Sequence, residues 1–184
     1  LHPALVIDDL RFSEIDKHSG PDLSLLKTWL KAGHNVGIMS EAGCPGIADP
    51  GAELVATAHG IGATVIPLVG PNSLILALMA SGLNGQSFCF NGYLPVKEPM
   101  RSQRIKELEG RSLKENQTQL FIETPYRNNL VLTDLLKNCR PQTRICIAQN
   151  ITAADTFIKT KTAAGWSKEI PDLGKSPAVF LMLG

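Results

Sequence analysis

The sequence predicts an α/β protein whose first half is built on a parallel sheet. Three observations carry that prediction. Short apolar strand segments alternate with helical ones along the 184 residues, the pattern of layered α/β folds. The connections between them are a few residues long, and right-handed crossovers then make successive strands parallel. Hydrophobic content is 43% while aromatic content is 5%, so the core is aliphatic, which suits parallel sheets.

The elements follow in order. "ALVI" (4–7) is a short apolar strand candidate. "GPDLSLLKTWLKAG" (20–33) reads as an amphipathic helix, with Pro21 in its first turn, Leu23, Leu26 and Leu30 on one face and Gly33 at its end. "NVGIMS" (35–40) is a buried strand that runs into the loop "SEAGCPGIADPG" (40–51). "GAELVATAHG" (51–60) is a short helix between glycines, and "ATVIPLV" (63–69) is a strand running into "GPNS" (70–73). "NSLILALMASG" (72–82) is apolar nearly all round, the mark of a buried helix.

Around "SGLNGQSF" (81–88) the texture changes, and a domain boundary is expected there, giving domains 1–84 and 85–184. "SFCFNGYLP" (87–95) opens the second domain, and the charged stretch 97–116 is helix-forming. Strands are predicted at 118–124, 143–151, 155–162 and 176–184, and a helix at 127–139. The period-two pattern of 155–162 leaves one of its faces solvated.

Bulk composition excludes several classes. Eighteen Lys+Arg against 17 Asp+Glu give a formal charge of +1, so no global nucleic-acid signature exists, although a local basic patch is compatible with that balance. Cys44, Cys89, Cys139 and Cys146 form no CxxC pair. Buried free thiols and a reducing, cytoplasmic compartment are the reading. No apolar run reaches the ~18 residues of a membrane span, and no signal peptide is expected. The chain opens without Met, which reads as a fragment with further residues upstream. No metal site is expected, because no His/Cys/carboxylate spacing fits one.

Two loops are candidate ligand surfaces, 40–51 and 70–73. Ligands of open parallel sheets bind at the carboxyl ends of strands, where glycine lets the backbone approach. Neither loop is GxxxxGK[ST] or GxGxxG. Asp49 also suits a helix cap, and Glu41 suits a solvated loop. Cys44 as a nucleophile has no histidine near it in sequence. His18, in "EIDKHSG", is a turn residue by default. "FIETPYRN" (121–128) ends a strand in Glu123 and opens a helix at Arg127. In a plain β-turn-α connection Glu123 and Arg127 pair at a surface and Tyr126 packs.

Taken together, these stretches resemble the tetrapyrrole methylase superfamily of S-adenosylmethionine (SAM) methyltransferases. The branch they resemble is the bacterial rRNA small-subunit methyltransferase I type, which acts on a cytidine ribose 2′-oxygen. That branch's S-D-A-G-T-P-x-I-x-D-P-G is similar to Ser40-Glu41-Ala42-Gly43-Cys44-Pro45 with Ile47, Asp49, Pro50 and Gly51. Its V-P-L-P-G-P resembles "IPLVGPNS" (66–73), and its F-x-G-F-L-P resembles "FNGYLP" (90–95). "SGL" (81–83) and "FIETPYR" (121–127), against F-Y-E-S-x-H-R, complete the set in the same order, over roughly residues 33–184.

The resemblance implies two α/β domains, the first with a parallel sheet and the second with a mixed one, a homodimer, and SAM folded between the domains. The family's opening strand and T-P-I-G-N-L loop have no match here. By position, Ser40, Glu41, Ala42, Gly43, Cys44 and Pro45 would lie against SAM. Pro71, Asn72 and Ser73 would join them from the second loop. Phe121, Ile122, Glu123 and Thr124 would do so from one strand end, and Asn150 and Ile151 from the strand end at 148–151. Pro177 and Ala178 would supply backbone near the adenine. Asn150 stands where the rRNA branch carries Glu, and Glu41 where it carries Asp.

Methyl transfer from a sulfonium is an in-line displacement in which the protein orients donor and acceptor. A ribose hydroxyl would use a base or a nearby cation, and Asp49, Glu123 and Arg127 are the candidates. RNA would meet Lys97, Arg101, Arg104, Lys106, Arg111 and Lys114 of segment 97–115, although its four glutamates make a solvated helix the default reading. A tetrapyrrole acceptor would want an apolar cleft with arginines for its carboxylates. A SAM-binding or interaction module without catalysis, and a hydrolase built on Cys44, are the readings from other classes.

Overall fold

The computed structural model describes residues 6–16 and 19–184. His18 and residues 4 and 5 of the first strand candidate lie outside the described residues. The chain divides into two compact units, 1–71 and 72–184.

In the first unit a 3-10 turn, Ile7–Asp9, precedes α1 (Leu23–Lys31) and α2 (Ala52–Gly60). The Asp22 side chain caps α1 by accepting from Leu25 N at 2.8 Å. Pro21 therefore stands ahead of the cap rather than in the first turn. Leu26 is the buried residue of the predicted face, with Leu23 and Leu30 half-buried. Gly51, at φ 133, is the N-cap of α2 without a side-chain cap bond, so Asp49 does not cap that helix.

The parallel sheet expected here is not formed among the described residues. Residues 35–40 and 63–69 carry no strand, and Ile7 lies in the 3-10 turn. Their apolar character survives as exposure: Ile66, Leu68 and Val69 face solvent, Val69 completely. The physical reason is that a strand is a pairing. An apolar segment becomes one only when a neighbour takes up its N–H and C=O groups.

The second unit contains α3 (Ser73–Ser81), β1 (Phe88–Tyr93), α4 (Met100–Glu115), β2 (Thr118–Glu123), a 3-10 turn (Pro125–Arg127) and α5 (Asn128–Asn138). β3 (Arg144–Gln149), β4 (Phe157–Thr162), α6 (Ala163–Ser167) and β5 (Ala178–Leu183) complete it. The five strands form one sheet in the order β1-β2-β5-β3-β4. β1 and β2 are parallel and all other pairs are antiparallel, so the sheet is mixed, as the family resemblance implied.

β5 is central and buried along its whole length, because both of its faces are covered. Phe180 and Met182 point to the side of α4, α5 and α6, with Ile105, Leu108, Leu132 and Trp166. Val179 and Leu181 point to the other side, against Leu74, Ala77 and Leu78 of α3. Phe121 stacks on Phe180 with ring centroids 5.6 Å apart. Burying a side chain of this kind contributes about 1.5–3 kcal/mol over leaving it exposed.

α3 packs on β4 and β5, so it belongs to the sheet of the second unit. The division by packing falls at 71/72, not at the expected 84/85. Nor is α3 buried all round. Leu74, Ala77, Leu78 and Ser81 are buried, while Met79 is exposed. The sheet covers one face of it, and Ile75 and Met79 are exposed. Neither 3-10 turn nor α6 is signalled by periodicity, being too short. α6 is held by Trp166, whose Nε1 donates to Ile145 O at 2.9 Å. β4 is half-buried except at Lys159 and Thr162, which are exposed, so its burial does not follow the expected period of two. No helix among the described residues is long and apolar enough to cross a membrane.

Candidate functional site

The predicted site residues fall into one group in each unit. In the first unit they lie on the loop 40–51, whose backbone does most of its own bonding. Ser40 Oγ donates to Ala42 O at 2.8 Å and accepts from Ala42 N at 3.3 Å. Gly46 N donates to Pro50 O and Ile47 N to Cys44 O, both at 3.2 Å. Gly43, Gly46, Ala48 and Gly51 all take positive φ, a conformation open to glycine at little steric cost. The result is a thin, folded ribbon with main chain on its surface.

Cys44 Sγ donates to Pro71 O at 3.4 Å. This bond joins the two glycine-rich loops that sequence spacing alone singled out. The cysteine is half-buried, and its hydrogen-bond partner among the described residues is that carbonyl, not a histidine. Ser40, Glu41 and Asp49 line a cavity of about 840 Å³ within this unit, together with Phe12, Trp29 and Ile38. That volume is in the range of small-molecule pockets. Asn72 and Ser73 lie in the second unit at the start of α3. There the Asn72 side chain accepts from Leu74 N at 3.0 Å and Ile75 N at 3.1 Å, which makes it a helix cap.

In the second unit the remaining candidates gather at one end of the sheet. Glu123, Ala178 and Gln149 form a row across β2, β5 and β3. Glu123 is buried, and its Oε1 accepts from Thr124 N at 2.7 Å and Thr124 Oγ1 at 3.2 Å. Its Oε2 lies 3.1 Å from Arg127 Nη2. That contact is an ion pair by distance, not aligned as a hydrogen bond, and Oε2 has no hydrogen-bond partner. Arg127 Nη2 also donates to Pro95 O at 3.2 Å. The pair expected at a surface is therefore largely internal.

Asn150, at φ 49, donates from Nδ2 to Asp155 Oδ2 at 2.6 Å. Ile151 is half-buried beside the α3 face of the sheet, and Ile122 packs on that face as well. Phe121 is wholly core, with its main chain paired to Phe180. Pro177 is exposed and Ala178 buried.

At this sheet end Asn128 escaped the sequence reading, and Gln149 was covered only by the strand end 148–151, with no role of its own. Asn128 is fully buried and donates from Nδ2 to Ser176 O at 2.7 Å. Gln149, also buried, donates from Nε2 to Leu173 O at 2.9 Å and Ser176 O at 3.2 Å. They hold the loop before β5. Asn128 Oδ1 and Arg127 Nε are buried without a hydrogen-bond partner, and in native structures such groups are few. A polar residue closing an apolar strand run, as Gln149 does, was the available signal.

The basic segment resolves in part. Arg101 is buried, with Nε 2.6 Å from Asp134 Oδ2 and Nη2 3.0 Å from Glu98 Oε1, so it is structural. Arg104 pairs with Glu107 at 2.8 Å. The four cysteines are free. Burial pushes the Cys139 thiol up to about 12, with Glu109 adding to it. Burial also raises Cys146, so neither is a nucleophile near neutrality. No cluster of His, Cys, Asp and Glu among the described residues could hold a metal ion.

A two-unit α/β chain with a mixed sheet and glycine-rich loops at its candidate site defines a class, and comparison with known proteins narrows it. The model of the tetrapyrrole (corrin/porphyrin) methylases matches residues 15–165, and the chain belongs to that family. It is similar to the ribosomal RNA small subunit methyltransferase I of Synechocystis sp., with 34% identity over 82% of this chain and 52% of that protein. It is also similar to the protein of that name from Vibrio cholerae, with 32% identity over 94% of this chain and 60% of that protein. The chain thus spans about half to three fifths of the length of these relatives. Among solved structures, the methyltransferase CobJ matches with a TM-score of 0.58 and 20% identity, over 88% of this chain and 69% of that one, a likeness of fold.

Proposed function

We propose that this chain is a SAM-dependent methyltransferase acting on a ribose 2′-hydroxyl of ribosomal RNA. The observation that carries the reading is the kinship with proteins named ribosomal RNA small subunit methyltransferase I, at 30–35% identity. A tetrapyrrole acceptor is the weaker alternative, resting on the family's name.

SAM supplies an electrophilic methyl group on a sulfonium, with no further cofactor required. The chain's part is to hold that donor and to prepare the acceptor. Ser40–Pro45 and Pro71, joined through the Cys44–Pro71 hydrogen bond, present main-chain groups that a nucleoside can lie against. In the second unit the proposed cofactor residues are Asn72, Ser73, Phe121, Ile122, Glu123, Thr124, Asn150, Ile151, Pro177 and Ala178.

The three proposed catalytic residues take different roles. Asp49 is half-buried on the cavity wall and is the proposed base for the hydroxyl proton. Glu123 is enclosed by Thr124 and Arg127. It acts as a positioning residue for Arg127, whose guanidinium offers positive charge to an alkoxide or phosphate. The same proposal places the protein in the cytoplasm as a homodimer, in keeping with four free cysteines.

The test is calorimetric titration of SAM and S-adenosylhomocysteine, followed by transfer of labelled methyl groups to small-subunit rRNA. Saturable binding and label in ribose support the reading. Asp49→Asn should lower turnover by about 10²–10⁴ and leave cofactor affinity unchanged. Absence of cofactor binding would sink it.

A further inference from the structure

The chain has two tyrosines, and both are placed against expectation for a packing residue. Tyr93 is 59% exposed and Tyr126 82% exposed. They also share one end of one sheet. Tyr93 is the last residue of β1, in register with Ile122 near the end of parallel β2. Tyr126 follows three residues after the end of β2, in the 3-10 turn. Neighbouring strands lie about 4.8 Å apart, so the two turns that carry these rings are adjacent. Arg127 ties them together by reaching from one turn to the Pro95 carbonyl of the other.

Cations accompany the rings. Lys175 Nζ stands over the Tyr126 ring, 5.5 Å from its centroid, a cation–π distance. Lys97, on the connection after β1, is exposed. Among the described residues neither lysine has an ion pair, whereas the nearby carboxylates are engaged. Glu123 pairs with Arg127 and Glu98 with Arg101. Asp172 accepts from Asn129 Nδ2 and Gly174 N. The surface therefore offers open aromatic faces and uncompensated positive charge.

We infer that Tyr93 and Tyr126, with Lys97 and Lys175, form a stacking platform for single-stranded RNA at this end of the sheet. This rests on the rRNA reading above and names residues for its substrate side. Every base has a face that stacks on an aromatic ring, and unpaired RNA is recognised in this way. Lys175 occupies one face of Tyr126, which leaves the other for a base, and its ammonium is placed for the adjoining phosphate. Charge complementarity decides for a polyanion over a protein partner. A protein partner covering Tyr93, Val96 and Tyr126 would have to desolvate two lysines that no carboxylate of this face pairs with, whereas RNA brings a phosphate to each.

The test is fluorescence anisotropy of the full chain with a short labelled single-stranded RNA of mixed sequence and with its abasic counterpart. S-adenosylhomocysteine titration of each variant serves as the check on folding. Tyr126→Ala is expected to weaken RNA binding about 5- to 100-fold, with a much smaller effect on the abasic strand. Tyr126→Phe should bind as the unsubstituted protein does. Lys175→Ala should reduce the slope of log affinity against log salt by about 1. If RNA binds the unsubstituted protein and Tyr126→Ala equally, the platform is overturned while the rRNA reading stands. If the protein binds S-adenosylhomocysteine but no RNA, the rRNA reading fails and takes the platform with it. A change of oligomeric state in Tyr93→Ala and Tyr126→Ala, with RNA affinity intact, would make this face a contact between copies and also overturn the proposal.

Discussion

Glu123 and Arg127 are joined at 3.1 Å inside the end of the second unit's sheet, with the carboxylate side chain wholly buried. The arginine extends from that pair to Pro95 O, so one ion pair ties the β1, β2 and α5 connections together. Removing one partner of a buried pair leaves an uncompensated charge. Arg127→Met should therefore cost about 3 kcal/mol in urea denaturation. The double variant Glu123→Gln/Arg127→Met should recover most of that loss. Equal destabilisation of the single and double variants would show that packing, not charge, governs this corner.

The Cys139 thiol yields a pH dependence. Its ordinary value of 9.0 rises to about 12, first by burial and then by the Glu109 carboxylate. The folded state thus keeps a proton that the unfolded chain has released. The associated stability is fully present below 9.0 and is lost as pH rises toward about 12. The slope from this one group is at most about 1.4 kcal/mol per pH unit. Cys139→Ala should flatten the alkaline limb of a thermal-denaturation profile. Alkylation of the native protein at mild pH should reach Cys44 and Cys89 before Cys139 and Cys146. Early labelling of Cys139 would contradict the burial argument.

These two sites show which features the sequence exposes. Strands β2, β3 and β5 were legible because each six-residue strand centres on an apolar run covered on both faces. α4 was legible from its charged, helix-forming composition and α5 as a helical segment between strands, while α6 was too short to be read. The loop 40–51 was legible because nothing in it can form a core, and its left-handed residues bear that out at Gly43, Gly46 and Gly51. Residues 35–40 and 63–69 misled, because apolar content measures what a segment needs to cover, while a strand also needs a partner. The same limit applied to α3, read as buried on every side but covered on one. Asn128 and Gln149 were hidden for the opposite reason. A buried polar side chain is identified by its partners, here Ser176 and Leu173, and those lie far away in sequence.

The loop that carries Lys175 is set by a small polar knot. Asn129 Nδ2 donates to Asp172 Oδ1 at 2.7 Å, Asn129 Oδ1 accepts from Leu173 N at 2.9 Å, and Gly174 N donates to Asp172 Oδ1 at 3.0 Å. The Asn129 bond, then the Gly174 N–H, hold the Asp172 carboxyl below its ordinary value. Its contribution is present above the unfolded carboxylate range and fades as pH falls through the lower folded value. Asn129→Ala should speed hydrogen exchange at the Leu173 and Gly174 amides at neutral pH. The difference from the unsubstituted protein should shrink as Asp172 is protonated. Unchanged exchange in the variant would show that Asn128 and Gln149 hold this loop without Asn129.

Gly51 gives the sharpest test of the loop in the first unit. Its φ of 133 lies where side-chain-bearing residues are rarely found, and an added Cβ would meet Gly46 N at 3.4 Å and Ile38 Cγ2 at 3.6 Å. Strain of this kind costs about 1–3 kcal/mol, so Gly51→Ala should lose stability in that range. Those contacts are ordinary van der Waals ones, so the strain lies in the φ itself; relaxing it moves the turn closed by Gly46 N–H to Pro50 O, and with it main chain beside the proposed cofactor surface. S-adenosylhomocysteine affinity should therefore fall even at temperatures where the variant remains folded. Gly60→Ala is the control, because it lies at the end of α2 with nothing within 4 Å of the added carbon. It should be neutral or slightly stabilising through helix propensity. A Gly51→Ala variant that loses stability but keeps its affinity would separate the loop's structural role from any contact with the cofactor. One that loses affinity more than stability would tie the ribbon's backbone directly to binding.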